Sequence, residues 1–224
     1  MARKKELKKN QYKDFPNCFD KNDLLKGKWA DIFGNDNPIT FELGCGKAAF
    51  IYEMAQRYPN RNFVGVDLKA DRLWRPASKA AEAGIHNLAF LCAHLIELTS
   101  YVAENEAAEL WITFPDPFPK KKQAKHRMVN SPFLSLYEKV LRPEGVLHLK
   151  TDNLDLFHFT LETIVRHRNI FLNELSFDLH NAEHIHPDAK IRTVYEQIFM
   201  DMGKPINYLS LRFAPQALAG GLTS

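Results

Sequence analysis

The sequence predicts a doubly wound α/β domain: a mostly parallel, seven-stranded sheet with helices on both faces and an antiparallel edge strand. Three observations predict it. From about residue 39 onward, short apolar runs alternate with longer amphipathic segments, the pattern of βαβ units. A Gly-x-Gly turn follows the first apolar run directly. Acids stand where the second and fourth runs end, at the carboxyl edge where an open α/β sheet binds its ligands.

The elements follow in order. Ile39 to Leu43 reads as a strand, followed by the glycine turn and a helix through Tyr58. Phe63 to Leu68 is a second strand, with a helix from Ala70 to about Ala83. Leu88 to Ala93 is a third, and a short helix near Leu98 to Glu104 leads into the fourth, Leu110 to Phe114. Ser131 to Leu141 is helical, and Pro143-Glu144-Gly145 breaks the chain before a fifth strand, Val146 to Lys150. A helix over Leu154 to His167 precedes the strand Phe171 to Asp178. The last units are a helix over Thr193 to Met202, stopped by Gly203, and a strand Ile206 to Phe213 compatible with antiparallel insertion at an edge. Residues 1–37 read as a basic, partly ordered extension with little periodicity, 38–215 as the domain proper, and 216–224 as a flexible tail.

A chain of 224 residues with 45% hydrophobic content supports one well-cored domain and excludes wholesale disorder. The net charge of +3 is small, but basic residues bunch at Arg3 to Lys13 and at Lys120 to Arg127. Two clusters on a near-neutral body suggest a polyanion bound at a defined place. Three separated cysteines without metal-ligand spacing fit a reducing compartment. With no secretory signal and no apolar run of membrane-spanning length, the expectation is a cytoplasmic protein with no membrane association.

In "FELGCGKAAF", Gly44 and Gly46 permit close approach of a cofactor to the backbone, and the following helix offers unpaired N–H groups. Asp67 ends the second strand, where a carboxylate can accept both ribose hydroxyls. Gly44-x-Gly46-x-x-Ala49 satisfies a relaxed dinucleotide fingerprint, so nicotinamide or flavin stays open on this motif. S-adenosyl-L-methionine has no pyrophosphate and depends more on carboxylates, a need that Glu42 with Asp67 fits better. The turn alone does not choose.

"FPDPFPKKKQAKHR" says more. Pro115 and Pro117 fix φ on either side of Asp116 and remove backbone donors, holding the acid extended at the end of a central strand. Phe118 offers a surface for a flat base. Lys120, Lys121, Lys122, Lys125, His126 and Arg127 supply phosphate contacts that position a nucleic acid without reading its sequence. Acid, ring and cations together read as a nucleotide site.

On these residues, together with "FVGVDLKADRLW", "NLAFLCAH", "LHLKTDN" and "TVYEQIFMDMG", the chain resembles the bacterial tRNA (guanine-N7)-methyltransferase family from Pro38 to Phe213. The resemblance implies a Rossmann-like class I fold. It also implies transfer of a methyl group from S-adenosyl-L-methionine to N7 of a tRNA variable-loop guanine, position 46 in tRNA numbering. S-adenosyl-L-homocysteine would be the product, with no metal and no obligatory protein partner, the chain working as a monomer or homodimer. Carried over by position, Glu42, Gly44, Gly46 and Asp67 bind the cofactor, and Asp116 contacts it and serves catalysis. His94 stands where the family often has an acid near the adenine. Lys120, Asp152, Thr193, Tyr195 and Glu196 hold the substrate, and Lys122, Lys125, His126 and Arg127 meet RNA. Ala48 replaces the third motif glycine, and Phe118 stands where tryptophan is common.

Other readings compete at particular residues. Thr193 and Glu196 have the spacing of a helix capping box. His180, His184 and His186 invite a metal, which their loop context and a methyl transfer that needs none argue against. Asp-Pro-x-aromatic segments also serve exocyclic amines, so another base or amino-group methyltransferase is the alternative function.

Overall fold

The structure is a computed structural model, describing residues 2–167 and 169–214; the expected tail at 216–224 lies outside the described residues. Two elements open the chain: helix α1 (Ala2–Tyr12) and the three-residue strand β1 (Cys18–Asp20). They are followed by α2 (Trp29–Phe33), β2 (Ile39–Leu43), α3 (Ala49–Arg57), β3 (Asn62–Asp67), α4 (Ala70–Glu82) and β4 (Leu88–Cys92). The second half comprises α5 (Leu98–Tyr101), β5 (Ala107–Thr113), α6 (Ser131–Val140), β6 (Leu141–Thr151), α7 (Leu154–Arg166), β7 (Ile170–Ser176), α8 (Val194–Asp201) and β8 (Asn207–Phe213).

The sheet has eight strands in the order β1-β4-β3-β2-β5-β6-β8-β7. The seven expected strands are all present, and β1 adds an eighth by pairing parallel to β4, Cys18 opposite Phe90. The antiparallel strand is β8, which slots between β6 and the edge strand β7 and runs against both. Central strands β2 and β3 are buried at every residue, which is why their sequences read as continuous apolar runs rather than alternating ones. Strand order reverses at β2, with β3 on one side and β5 on the other, so the crevice of the fold opens at the carboxyl ends of these three strands.

Each face of the sheet carries its own core. Trp29 of α2, Tyr101 of α5, Phe133 and Tyr137 of α6 and Phe157 of α7 pack with Phe41 and Leu110 on one face. Tyr12 of α1, Phe50 and Met54 of α3, Leu73 of α4, Trp111 and Tyr208 fill the other.

The extension before residue 38 is thus continuous with the body. Trp29 is fully buried and its indole N–H donates to Tyr101 O at 2.9 Å. The Tyr12 hydroxyl sits 2.9 Å from Phe90 O and 3.0 Å from Phe19 O, anchoring α1 at the β1–β4 pair.

The expected break at Pro143-Glu144-Gly145 does not separate helix from strand. β6 begins at Leu141, and its register against β5 shifts between Ala107 and Glu109 to absorb the extra residues. Gly145 is required there: a Cβ would stand 2.7 Å from Leu141 Cδ2 and 2.9 Å from Arg142 O.

Candidate active site

The turn after β2 is built on left-handed backbone. Gly44 has φ +71° and Gly46 φ +57°, while Ala48 sits at φ +55° and is fully buried. A non-glycine residue in that region stores conformational strain. Gly46 N donates to Asp67 Oδ2 at 3.0 Å and Lys69 N to Asp67 Oδ1 at 2.9 Å, so the β3 acid is held by the turn it faces. Arg72 brings its guanidinium to 3.7 Å from the same carboxylate. A Cβ on Gly46 would meet nothing within 4 Å, so the turn opens onto free space.

Glu42 is buried one residue before the end of β2. It accepts from Ile51 N in the first turn of α3 at 3.2 Å and from the Thr113 hydroxyl at the end of β5 at 2.5 Å. Burial pushes its carboxyl up to about 7, against the lowering effect of these two donors and of Lys150. Acid, helix start and the neighbouring strand end are therefore fixed to one another. His94 follows β4, exposed, with Nδ1 accepting Ile96 N at 3.3 Å in a short 3₁₀ turn over Leu95–Glu97.

Beyond Thr113 the chain turns sharply twice. Phe114 has φ +51° and Phe118 φ +44°, bracketing Pro115-Asp116-Pro117. Left-handed backbone in bulky residues costs about 1–3 kcal/mol each, and such strain collects where geometry is used. Phe114 N donates to Lys150 O at 2.8 Å, continuing the β5–β6 ladder past the strand end. The Asp116 side chain stands exposed at the tip, while Phe118 is half-buried with its ring 5.6 Å from that of His126.

Lys121–His126 form a 3₁₀ turn in which Lys122, Lys125 and His126 are exposed, as is Lys120 just before it. Arg127 behaves differently. Its Nε donates to Pro117 O at 3.0 Å, its Nη2 to Phe118 O at 3.0 Å, and its guanidinium lies 4.4 Å from the Phe159 ring centre on α7. The expected RNA cation is thus turned inward, because two carbonyls and an aromatic face satisfy its fork better than water does.

The residues expected to hold substrate divide in the same way. Asp152, just past β6, is half-buried with Lys204 Nζ 3.3 Å from Oδ2. Asn153 beside it caps α7 through Leu156 N at 2.8 Å. Thr193 and Glu196 form the reciprocal capping box of α8, each backbone N–H to the other side chain at 3.1 Å.

The Glu196 carboxylate is wholly enclosed, with Lys150 Nζ at 2.7 Å on one oxygen and His180 Nε2 at 2.8 Å on the other. In this geometry Glu196 presents no atom to a substrate. It holds α8 to the end of β6, while Tyr195, 54% exposed, faces outward beside the exposed Val194.

No group of three or more His, Cys, Asp or Glu side chains gathers as a metal site among the described residues. No described helix is long and apolar enough to cross a membrane. Sequence reasoning did not single out Thr113, Lys150 or Met128. Met128 would lie 3.2 Å through its sulfur from a Cβ on Gly44, so it roofs the turn. These residues have ordinary strand and loop identities, and only the register between β2, β5 and β6 brings them in.

The strand order, the turn at the reversal point and the acids at three adjacent strand ends define a class I S-adenosylmethionine-dependent methyltransferase. Solved structures agree on the fold. A 16S rRNA methyltransferase, KamB, superposes with a TM-score of 0.64 at 14% identity over 84% of this chain and 93% of its own. A 16S rRNA (adenine(1408)-N(1))-methyltransferase from Catenulisporales acidiphilia, solved with cosubstrate SAM, gives 0.60 at 17% identity over 84% and 90%.

Sequence likeness narrows the class. A family model described as a putative methyltransferase matches residues 36–209. The tRNA (guanine-N(7)-)-methyltransferase of Christiangramia forsetii is 42% identical over 84% of this chain and 84% of its own length. The enzyme of the same name from Cytophaga hutchinsonii is 35% identical over 96% and 100%. The chain belongs to the tRNA (guanine-N7)-methyltransferase family.

Proposed function

We propose that this chain transfers the methyl group of S-adenosyl-L-methionine to N7 of a guanine in tRNA, the variable-loop guanine at position 46, leaving S-adenosyl-L-homocysteine. The observation that carries this reading is the exposed Asp116, stiffened between prolines and two left-handed phenylalanines just past β5, the strand that pairs with β2 and joins its Glu42 through Thr113.

The residues present fit the cofactor. The open space over Gly46 admits it, Asp67 keeps acceptor capacity for ribose hydroxyls beyond its two backbone donors, and Glu42, buried beneath the turn, ties the start of α3 to the end of β5. His94 is assigned to the adenine side, at the end of β4. Once bound, the cofactor supplies an electrophilic methyl on a sulfonium. No metal enters this reading.

Guanine N7 carries a lone pair and no proton, so the chain need supply no general base. The N7 lone pair forms the new bond to carbon while the electron pair of the old sulfur–carbon bond stays on sulfur. Positive charge arrives on the purine, and Asp116 is placed to stabilise it and to accept from the N1–H or N2–H₂ edge. Asp152 is a second acceptor for that edge. Holding both partners in line supplies much of the rate, which gives the strained loop its use. Phe118 walls the base, Tyr195 and Thr193 border it, and Lys120, Lys122, Lys125 and His126 grip phosphates.

The methyl-transfer unit runs from residue 38 onward, with the basic extension packed against it as further surface for RNA. A cytoplasmic monomer or homodimer satisfies this scheme. The test is methylation of unmodified tRNA followed by borohydride reduction and aniline cleavage, which labilises N7-methylguanine. Scission at the variable-loop guanine is expected. Label in an adenine, or labelled guanine without scission, favours an exocyclic-amine methyltransferase and overturns the proposal.

A further inference from the structure

Arg127 stands in a basic run yet points away from solvent. Its Nε and Nη2 reach the carbonyls of Pro117 and Phe118, the two residues that follow Asp116. The other face of its guanidinium lies against Phe159, which packs on the core through α7. Each of the groups behind it is itself held. Asn130 Nδ2 donates to Lys125 O at 2.7 Å and Asn130 Oδ1 caps α6. The Tyr137 hydroxyl donates to Met128 O at 3.0 Å, and Met128 roofs Gly44. A rigid path therefore runs from α6 and α7 through Arg127 to the loop that carries Asp116.

That loop needs an external hold. Phe114 and Phe118 both sit in left-handed backbone, and the prolines at 115, 117 and 119 remove N–H donors with which the loop could brace itself. Without the guanidinium the two carbonyls lose these donors, and the strain is released by letting the loop turn.

We infer that Arg127 is a positioning residue, fixing the carboxylate of Asp116 for methyl transfer by clamping the Pro117 and Phe118 carbonyls, and is not one of the phosphate contacts of the basic run. The inference rests on the methyltransferase reading for its kinetic consequence, though not for its structural one.

The test compares Arg127→Gln and Arg127→Lys with the unmodified full-length chain. A misplaced catalytic group costs about 10²-fold. Arg127→Gln is therefore expected to lower kcat on tRNA about 10- to 100-fold, leaving tRNA Kd and its salt dependence unchanged. Lysine, which can reach one carbonyl but not fork across both, restores part of kcat. Lys125→Ala serves as the contrast, with weaker tRNA binding and a salt slope reduced by about one.

Should Arg127→Gln fail to fold, Phe159→Leu, which removes only the aromatic backing, is expected to lower kcat with the same split. A fluorine label on the Phe118 ring reads the loop without any reaction: its resonance moves toward the solvent-exposed position in Arg127→Gln. If the unmodified chain transfers no methyl to tRNA, the functional reading fails and the fluorine signal still decides the clamp. An unmoved resonance, or retained kcat with a reduced salt slope, overturns it.

Discussion

The hydroxyl of Thr113 donates to the carboxylate of Glu42 at 2.5 Å, joining the last residue of β5 to the acid beneath the glycine turn. The contact crosses the point where strand order reverses. It makes the two halves of the proposed site, turn and Asp116 loop, a single mechanical unit.

Glu42 also sets a pH dependence. Its folded carboxyl is pushed up to about 7 from an ordinary 4.5, so the folded state holds this proton more tightly than the unfolded chain. The stability this lends is fully present below pH 4.5 and is lost as pH rises through 7. Relative to Glu42→Gln, the unmodified chain should lose roughly 3 kcal/mol between those limits and change little above them. Urea denaturation of both chains across the range checks this, and parallel curves would refute it. The same variant should bind S-adenosyl-L-homocysteine more weakly at pH 8, read as a smaller thermal shift on adding ligand.

The buried pair of Lys150 and Glu196 should matter to stability more than its surface counterparts. Both side chains are fully enclosed, and burial draws the Lys150 ammonium below its usual pKa despite Glu196. Lys150→Met leaves a buried carboxylate with only His180 and the cap for partners, at a cost of about 3–5 kcal/mol. Adding Glu196→Gln should recover a large part. A double variant no more stable than the single one would show that the charge left behind is not the cause.

Ala48 is strained where glycine would be relaxed. Replacing it removes a buried methyl, worth about 0.8 kcal/mol, and relieves left-handed backbone, worth about 1–2 kcal/mol. Ala48→Gly should therefore be neutral to slightly stabilising by denaturant midpoint. A loss above about 1 kcal/mol would mean the methyl packs better than its backbone suffers.

Much of this architecture was legible because its signals are local. Continuous apolar runs such as Ile39–Leu43, and the glycines directly after them, report strand and turn without help from the rest of the chain. β1 escaped notice because three residues, each only half-buried, carry no periodicity and gain strand geometry from β4. α1 is similarly unpatterned and is secured by Tyr12 and the Trp74 contacts of Lys8 and Phe15.

Asp67 ends β3 and Asp116 follows β5, positions that the apolar runs before them predict. Arg127 is expected to be an RNA cation from its basic run and the family resemblance, and Glu196 a substrate contact from the resemblance alone, beside the capping-box spacing that the structure shows. Their partners, Phe159 for one and Lys150 and His180 for the other, come from other elements, so neither orientation could be read from the local sequence.

The role proposed for Asp116 is to stabilise charge arriving on the purine rather than to remove a proton. Single-turnover methyl transfer to unmodified tRNA, with saturating S-adenosyl-L-methionine, tests it most directly when Asp116→Asn is set beside the unmodified chain. Asparagine keeps the size and the hydrogen-bonding oxygen but not the charge. The expected result is a rate lower by about 10²- to 10³-fold with tRNA affinity within about twofold. Near-normal transfer by Asp116→Asn would contradict it.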